Sequence, residues 1–429
     1  MLERIYRDPV HNIIRLRSNS DVGRLLIALV DSQEFQRLRR IKQLGLALYT
    51  YQGAEHSRFT HSLGVLHLMI RALDRLAERY SISETDRAAA CTAALLHDIG
   101  HGPFSHVMEK VMGFHHEQWS VSAILSDQTE VGQKLRQFST ALPQRIADII
   151  EGRFEPTYIA QLVSSQLDVD RMDYLLRDSL MTGVKYGIYD LEWILGTLEI
   201  DDKERIYVAA PGLYAVEAYL QARYYMFRQV YFHRTLRSAE VVLRTTLRRA
   251  LDLAKSGHPV WTVPGTAFEQ LLYGGKPLLL TEYLELDDAD LLFHIKQWQK
   301  SEDPILGDLS RRFIGRQLFK AIDLDMPEEE GREKFIELGR ECAARLGFDP
   351  NYYFIDDNTS DLPYYPYDPE VTDTDPKSRI YVEDGFSHPR IREISQVSSA
   401  VRGLQKRYIL HRACFPSEIK EEVYRLYRA

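Results

Sequence analysis

Apolar positions along the chain recur mostly with the period of an α-helix. Phe35, Leu38, Ile41 and Leu44 fall three residues apart, with Arg37, Arg39, Arg40 and Lys42 between them, which predicts an amphipathic helix. The run Leu46-Ala47-Leu48-Tyr49-Thr50-Tyr51 predicts a short strand or an extended link. Helical spacing resumes at Leu63, Leu66, Ile70, Leu73 and Leu76. Ser81-Ile82-Ser83-Glu84 has the form of a capped start for a helix carrying Cys91 to Asp98, and Gly100, Gly102 and Pro103 end it. Further helical segments are predicted near 117–126, 143–151, 157–179 and 190–199, then from Tyr214 to Lys255 and over 266–324, where Asp287 to Lys300 is plainly amphipathic. Short strands are predicted at Arg205–Ala210, Arg379–Val382 and Arg407–Leu410. Residues 351–378 are rich in Asp, Tyr and Pro and read as a loop ordered in place or an interface arm. The expectation is a mainly α protein with a small C-terminal α+β lobe.

Composition narrows the function classes. The 429 residues carry 54 Lys+Arg against 62 Asp+Glu, a formal net charge of −8, so no global basic field is available to hold nucleic acid or an anionic membrane. An anionic substrate needs a local basic pocket. The three cysteines, Cys91, Cys342 and Cys414, are far apart and form no CxxC, which favours a reducing compartment over a disulfide framework. No apolar run reaches the roughly 18 residues of a membrane helix, and the first residues lack the apolar core of a signal peptide. The expected location is cytoplasmic.

The densest chemistry lies in His97-Asp98-Ile99-Gly100-His101-Gly102-Pro103-Phe104-Ser105-His106, which follows the apolar run Ala93-Ala94-Leu95-Leu96. Burying a His–Asp pair is costly unless the groups are paired or bound to a metal, and neutral imidazole with carboxylate is a ligand set that divalent metals accept. One such pair holds a metal poorly, so partners are expected on neighbouring helices. His61, within Arg58-Phe59-Thr60-His61-Ser62-Leu63-Gly64-Val65, is one. Asp170, within Asp168-Val169-Asp170-Arg171-Met172-Asp173-Tyr174, is another, although spacing does not force Asp170 over Asp168 or Asp173.

The order His61, His97-Asp98, Asp170 resembles the H…HD…D signature of the HD-domain metal phosphohydrolases. The strings Phe35–Gly45, Arg58–Val65, His97–His106, His116-Glu117-Gln118 and Asp168–Asp178 together resemble the deoxynucleoside triphosphate triphosphohydrolases, with the match covering roughly residues 4–325. The resemblance implies an HD-domain helical core at 1–200, an associated helical region at 201–330 completing a nucleotide pocket, and a C-terminal lobe at 331–429 with oligomer contacts. It implies hydrolysis of a dNTP to deoxynucleoside and inorganic triphosphate with one divalent metal per site. Mn, Mg, Fe, Zn, Ni and Co are not distinguished, because His/Asp ligation suits all of them.

The same resemblance implies residue roles. His61, His97, Asp98 and Asp170 bind the metal. His116 moves a proton at the leaving oxygen, and Glu109 orients it. His101 and His106 face the phosphates with Arg58 and Arg171 as cationic clamps, and Arg223 is a further phosphate contact. Gln43 and Asp178 read the 3′-hydroxyl, Tyr174 packs on the ribose and leaves no room for a 2′-hydroxyl, and Leu44 and Tyr231 line the same pocket. Arg171 stands where some relatives have lysine, and Phe227 where the animal enzyme has a histidine. Arg4, Ile5, Asp31, Gln36, Arg39, Arg234, Arg316, Leu318 and Lys320 match an activator site for GTP, dGTP or a dNTP at subunit contacts, which implies a homo-oligomer, a tetramer ahead of a dimer. Two other readings stand beside this one: an HD-type phosphodiesterase or nucleotidase, and a nucleic-acid-binding or scaffold protein with a residual metal site. The Arg-rich stretch 234–249 is the place for a single-stranded nucleic-acid contact as a side activity.

Overall fold

The computed structural model describes residues 3–113, 115–274, 278–361, 364, 379–385 and 389–428. The fold is mainly helical, at 59% helix, with a few small sheets. A hairpin of strands Glu3–Asp8 and Asn12–Arg17 opens the chain, in antiparallel register from Glu3 opposite Arg17 to Asp8 opposite Asn12. The helix Arg58–Ala77 then packs against both Glu84–Leu96 and Val169–Thr182. Its buried residues run through Phe59, Leu63, Leu66, Met69, Leu73 and Leu76, the stripe that the sequence period marks. Ser83 caps Glu84–Leu96 by accepting from the Asp86 N–H, as its sequence signature predicts.

Three hydrophobic clusters build the interior. The first joins the helices around Arg58–Ala77 with Ile380, Val382, Ile394 and Val401, so part of the last hundred residues returns to the N-terminal core. The second is centred on the helix Arg234–Lys255 and the helices Asp288–Trp298 and Pro304–Ile314. The third lies between the helix Glu329–Arg345, the C-terminal helix Lys420–Arg428 and a three-stranded sheet in the order 320–323, 408–415, 355–361. A four-stranded sheet orders 198–200, 206–208, 381–384 and 390–393, and its central pair is parallel.

Several elements differ from the sequence expectation for identifiable reasons. The helix expected through Leu44 stops early: Gln33–Arg37 is followed by a 3₁₀ turn to Arg40, and Ile41 is extended. The Lys42 N–H there donates to the Asp288 carboxylate at 2.9 Å, a tertiary bond that replaces a helical one. Residues 47–49 form a 3₁₀ turn rather than a strand. The segment 157–179 is two helices, because Asp168 caps the second one through the Arg171 N–H at 2.7 Å. The stretch 190–199 ends as the strand Leu198–Ile200. Tyr214–Lys255 is interrupted by a π-turn at Phe227–Tyr231, and 266–324 is four helices and the strand Lys320–Asp323. The N-terminal hairpin and the helices Asp21–Val30, Glu130–Phe138 and Glu329–Arg345 have no counterpart in the sequence reading. Within 351–378 the strand Ile355–Asp361 is formed, and 362, 363 and 365–378 lie outside the described residues.

Candidate active site

Three packed helices bring four candidate ligands together from their ends. His61 sits in the first turn of Arg58–Ala77, His97 caps the end of Glu84–Leu96 with Asp98 next to it, and Asp170 lies in the first turn of Val169–Thr182. His61 Nε2 is 3.0 Å from Asp170 Oδ1 and 3.8 Å from Asp98 Oδ2. His97 Nε2 is 3.5 Å from Asp98 Oδ1 and 3.6 Å from Asp170 Oδ1. Ligand atoms of His61, His97 and Asp170 all lie within 4.8 Å of one another.

The donor set fits a divalent cation. The His97 Nδ1–H donates to the Ala94 carbonyl at 2.9 Å, which leaves a lone pair on Nε2, and that atom is buried without a hydrogen-bond partner among the described residues. An imidazole fixed this way by its other nitrogen is the usual preparation of a metal ligand. Although burial opposes ionisation, Arg58, His97 and His101 hold the Asp98 carboxyl well below its usual range, and Arg58 Nη1 donates to Asp98 Oδ2 at 2.6 Å. Burial also opposes charge on His61, yet Asp170 and Asp173 raise its imidazolium to about 10. The carboxylates thus have cationic partners here, and a bound divalent cation would take the place of the proton on His61.

The structure separates the three neighbouring acids. Asp168 caps its helix and pairs with Arg171. Asp170 faces the histidines. Asp173 accepts from His61 Nδ1 at 2.8 Å, from His11 Nε2 at 2.7 Å, and from Arg177 at 2.7 and 2.9 Å. Arg177 in turn donates to Asp8 at 2.7 Å, and Asp8 accepts the N–H groups of Val10 and His11. His11, Arg177 and Asp8 are absent from the sequence-based set, in which Asp173 stands only as an alternative to Asp170. The only sequence signal for His11 is an isolated histidine after Asp-Pro-Val, which by itself carries no chemistry.

A cavity of about 490 Å³ opens beside the cluster. Asp98, Asp170, Arg58, His101, Glu109 and His116 line it together with Gln43, Leu44, Tyr174, Asp178, Phe227 and Tyr231. His116 Nδ1 bonds Glu109, and the His116 ring stacks on His101 with centroids 3.8 Å apart. Burial and the adjacent Arg58 push the His101 imidazole well below its ordinary pKa, which keeps it neutral. The Tyr231 hydroxyl donates to Asp178 at 2.8 Å, and His56 Nε2 lies 2.8 Å from the other Asp178 oxygen. The Gln43 side-chain carbonyl is buried with no partner among the described residues, so it can accept from a hydroxyl.

Other predicted residues lie elsewhere. Arg171 is held by Asp168, and Arg223 donates to Gln166 at 2.8 Å; neither is among the cavity-lining residues. The His106 side chain is outside the described part of the structure. Arg4 pairs with Asp31, Arg39 donates to Gln36 at 2.8 Å, and Ile5 is half exposed. Arg316 donates to the Tyr49 carbonyl, Arg234 pairs with Asp323 at 3.0 Å, and Lys320 is exposed while Leu318 is half-buried. Within one chain, these activator candidates are divided between the N-terminal segment, the start of the helix Arg234–Lys255 and the 316–320 segment. In the Arg-rich stretch, Arg234, Arg237, Arg244 and Arg249 face carboxylates, while Arg248 pairs with none among the described residues. No helix among the described residues is long and apolar enough to cross a membrane.

Comparison with known proteins agrees with this geometry. The HD domain family matches residues 58–178, a span that begins at Arg58 and ends at Asp178. The uncharacterized protein YwfO of Bacillus subtilis is 40% identical over 419 residues, covering 97% of this chain and 93% of that protein. The human deoxynucleoside triphosphate triphosphohydrolase SAMHD1 is 28% identical over 387 residues, 80% of this chain and 59% of its own length. The crystal structure of a phosphohydrolase from Bacteroides thetaiotaomicron superposes with a TM-score of 0.82 at 32% identity, covering 96% of this chain and all of that one.

Proposed function

The chain belongs to the HD-domain phosphohydrolases, and from that premise we propose that it hydrolyses deoxynucleoside triphosphates to deoxynucleoside and inorganic triphosphate. The observation that carries the reading is the cavity itself, which the His116–Glu109 pair, Arg58, Asp98 and Asp170 line together with Gln43, Tyr174, Asp178 and Tyr231, side chains suited to a hydroxyl and a sugar ring. A plain phosphate ester has no need of the last four. The names of relatives such as SAMHD1 support the same substrate class.

In this mechanism His61, His97, Asp98 and Asp170 would hold one divalent metal. When bound, the metal supplies Lewis-acid polarisation of the α-phosphate and a place for the attacking water. Arg58 orients phosphate oxygens through its fork of N–H donors. His116 delivers a proton to the departing 5′-oxygen, and Glu109 fixes its tautomer and orientation. His101, neutral at physiological pH, offers a hydrogen bond to phosphate without adding charge. Tyr174 and Tyr231 enclose the sugar, and Gln43 and Asp178 pair with its 3′-hydroxyl. In this reading Arg171, Arg223 and His106 supply the remaining phosphate contacts. An activator nucleotide at subunit contacts involves Arg4, Asp31, Gln36 and Arg39 with Arg316, Leu318 and Lys320.

The test is product analysis with purified protein and Mn²⁺ or Mg²⁺. Release of triphosphate from a dNTP with little from the matching ribonucleotide is expected, and Asp98→Ala removes both metal retention and turnover. Release of pyrophosphate or orthophosphate instead would replace this reading with a nucleotidase or phosphodiesterase. Turnover that stays flat as GTP or dGTP is added, with unchanged oligomeric mass, would remove the activator.

A further inference from the structure

A second cavity of about 490 Å³ lies beside the catalytic one. It is walled by Arg244 and Arg248 from the helix Arg234–Lys255, by Arg340 from the helix Glu329–Arg345, and by Lys110, with Asp356 and Asp357 on the strand Ile355–Asp361. Arg244 and Arg248 are four apart and share one helix face.

The pairing pattern sets these cations apart from their neighbours. On the same helix, Arg237 is bonded to both oxygens of Asp357, at 3.0 and 2.7 Å, and Arg249 to Asp303. Inside the cleft, Arg244 reaches only the already bonded Asp357, at 3.4 Å. Lys110, Arg248 and Arg340 pair with no carboxylate among the described residues. Of the charged residues lining the cleft, four are cations and two, Asp356 and Asp357, are acids, and Asp357 is also bonded to Arg237, so the cations outnumber the acids. Burial and the nearby Arg237 pull the Lys110 ammonium below its usual range, with Glu240 and Asp357 offsetting part of this. Cations held close together in a cleft focus a positive potential that an anion would relieve, and arginine forks match phosphate oxygens.

We infer that this cleft is a polyphosphate-binding site, taking a linear chain of three or more phosphates, either inorganic or the tail of a nucleotide. Several cations spread over two helices and Lys110 suit an extended polyanion better than a single phosphate. Lys110 also lines the catalytic cavity and directly follows Glu109, the partner of His116. An occupant therefore lies against the segment that carries the catalytic pair, where it can pass between the cavities or alter turnover.

The experiment is calorimetric titration of the full-length metal-loaded protein with magnesium tripolyphosphate at fixed ionic strength. It compares wild type with Arg248→Glu/Arg340→Glu, two exposed positions outside the proposed catalytic machinery. The wild type should show a binding event that the double variant weakens roughly tenfold or more, as loss of charge-assisted bonds requires, while Arg248→Lys/Arg340→Lys retains most of it. Turnover without added polyphosphate should match wild type. GTP in place of tripolyphosphate distinguishes the sources: tighter binding of GTP at this site assigns the nucleotide tail, and tighter tripolyphosphate the inorganic chain. Identical isotherms for wild type and the Glu variant, or equal affinity for orthophosphate, would overturn the site. Because the readout is binding, a failure of dNTP hydrolysis leaves this result interpretable.

Discussion

His11 Nε2 lies 2.7 Å from Asp173 Oδ1, and the other oxygen of the same carboxylate lies 2.8 Å from His61 Nδ1. The turn of the N-terminal hairpin is thus joined to a candidate metal ligand through one fully buried acid. Groups that orient a metal-binding imidazole from behind contribute to metal affinity and not only to packing. His11→Ala is therefore expected to weaken metal retention about tenfold while leaving the helical content intact. Chelator competition with metal analysis checks this. A variant that holds metal as tightly as wild type would show that His61 needs no support from the hairpin.

How much of this was legible in sequence depends on what each residue does. His61, His97 and Asp98 stand out because titratable groups inside or at the end of apolar helices demand an explanation, and the structure places them together. Choosing among Asp168, Asp170 and Asp173 needs three dimensions: one caps, one faces the histidines and one supports from behind. His11 is distant in sequence and sits in a turn, so no periodicity points to it. The same division holds for the fold. The amphipathic helices Arg58–Ala77 and Glu84–Leu96 follow from period and cap. The early end of the helix before Ile41 depends on Asp288, nearly 250 residues away.

The Tyr174 and Tyr231 rings meet edge to face at 6.4 Å in the cavity, and Tyr231 is anchored to Asp178. If Tyr174 excludes the ribonucleotide 2′-hydroxyl by occupying its space, Tyr174→Ala should raise the ribonucleotide-to-deoxyribonucleotide ratio of kcat/KM by up to about a hundredfold, the scale on which a pocket rejects an added hydroxyl. Steady-state assays on matched nucleotide pairs decide it. An unchanged ratio with both activities falling together would make Tyr174 a packing residue only.

His67 gives the fold a pH dependence with a definite sign. Burial, then His11 and Arg71, lower its imidazole from 6.5 to about 4, with Asp8 and Asp173 acting the other way. At pH 7 the ring is neutral in both states. As the pH falls through 6.5 the unfolded chain takes up a proton that the folded chain refuses, so stability declines until about pH 4 and then stops declining on this account. With allowance for partial solvent exposure, the loss is about 2 kcal/mol. Denaturant unfolding at a series of pH values should show wild type losing that much more than His67→Gln between pH 7 and pH 4. Parallel curves for the two proteins would contradict the assignment.

Gly64 marks where the support behind His61 leaves no room. It lies one turn after His61 on the inner face of the helix Arg58–Ala77. A Cβ added there would fall 1.9 Å from Asp173 Oδ1 and 2.4 Å from Arg177 Nη2. In an open helix, Gly→Ala gains up to about 1 kcal/mol because alanine loses less backbone freedom on folding. At Gly64 the methyl instead displaces a carboxylate bonded to His11, His61 and Arg177, and overpacking of this kind costs about 1–3 kcal/mol. Gly64→Ala should accordingly lower both unfolding free energy and metal retention. Gly331, in the helix Glu329–Arg345, has no atom within 4 Å of the same added methyl, so Gly331→Ala should be neutral or stabilising and leave metal binding unchanged. Measuring the two variants together separates backbone entropy from steric conflict. If Gly64→Ala proves as stable and as well metallated as wild type, the Asp173 carboxylate can move without disturbing His61, and the coupling between hairpin and metal ligand does not hold.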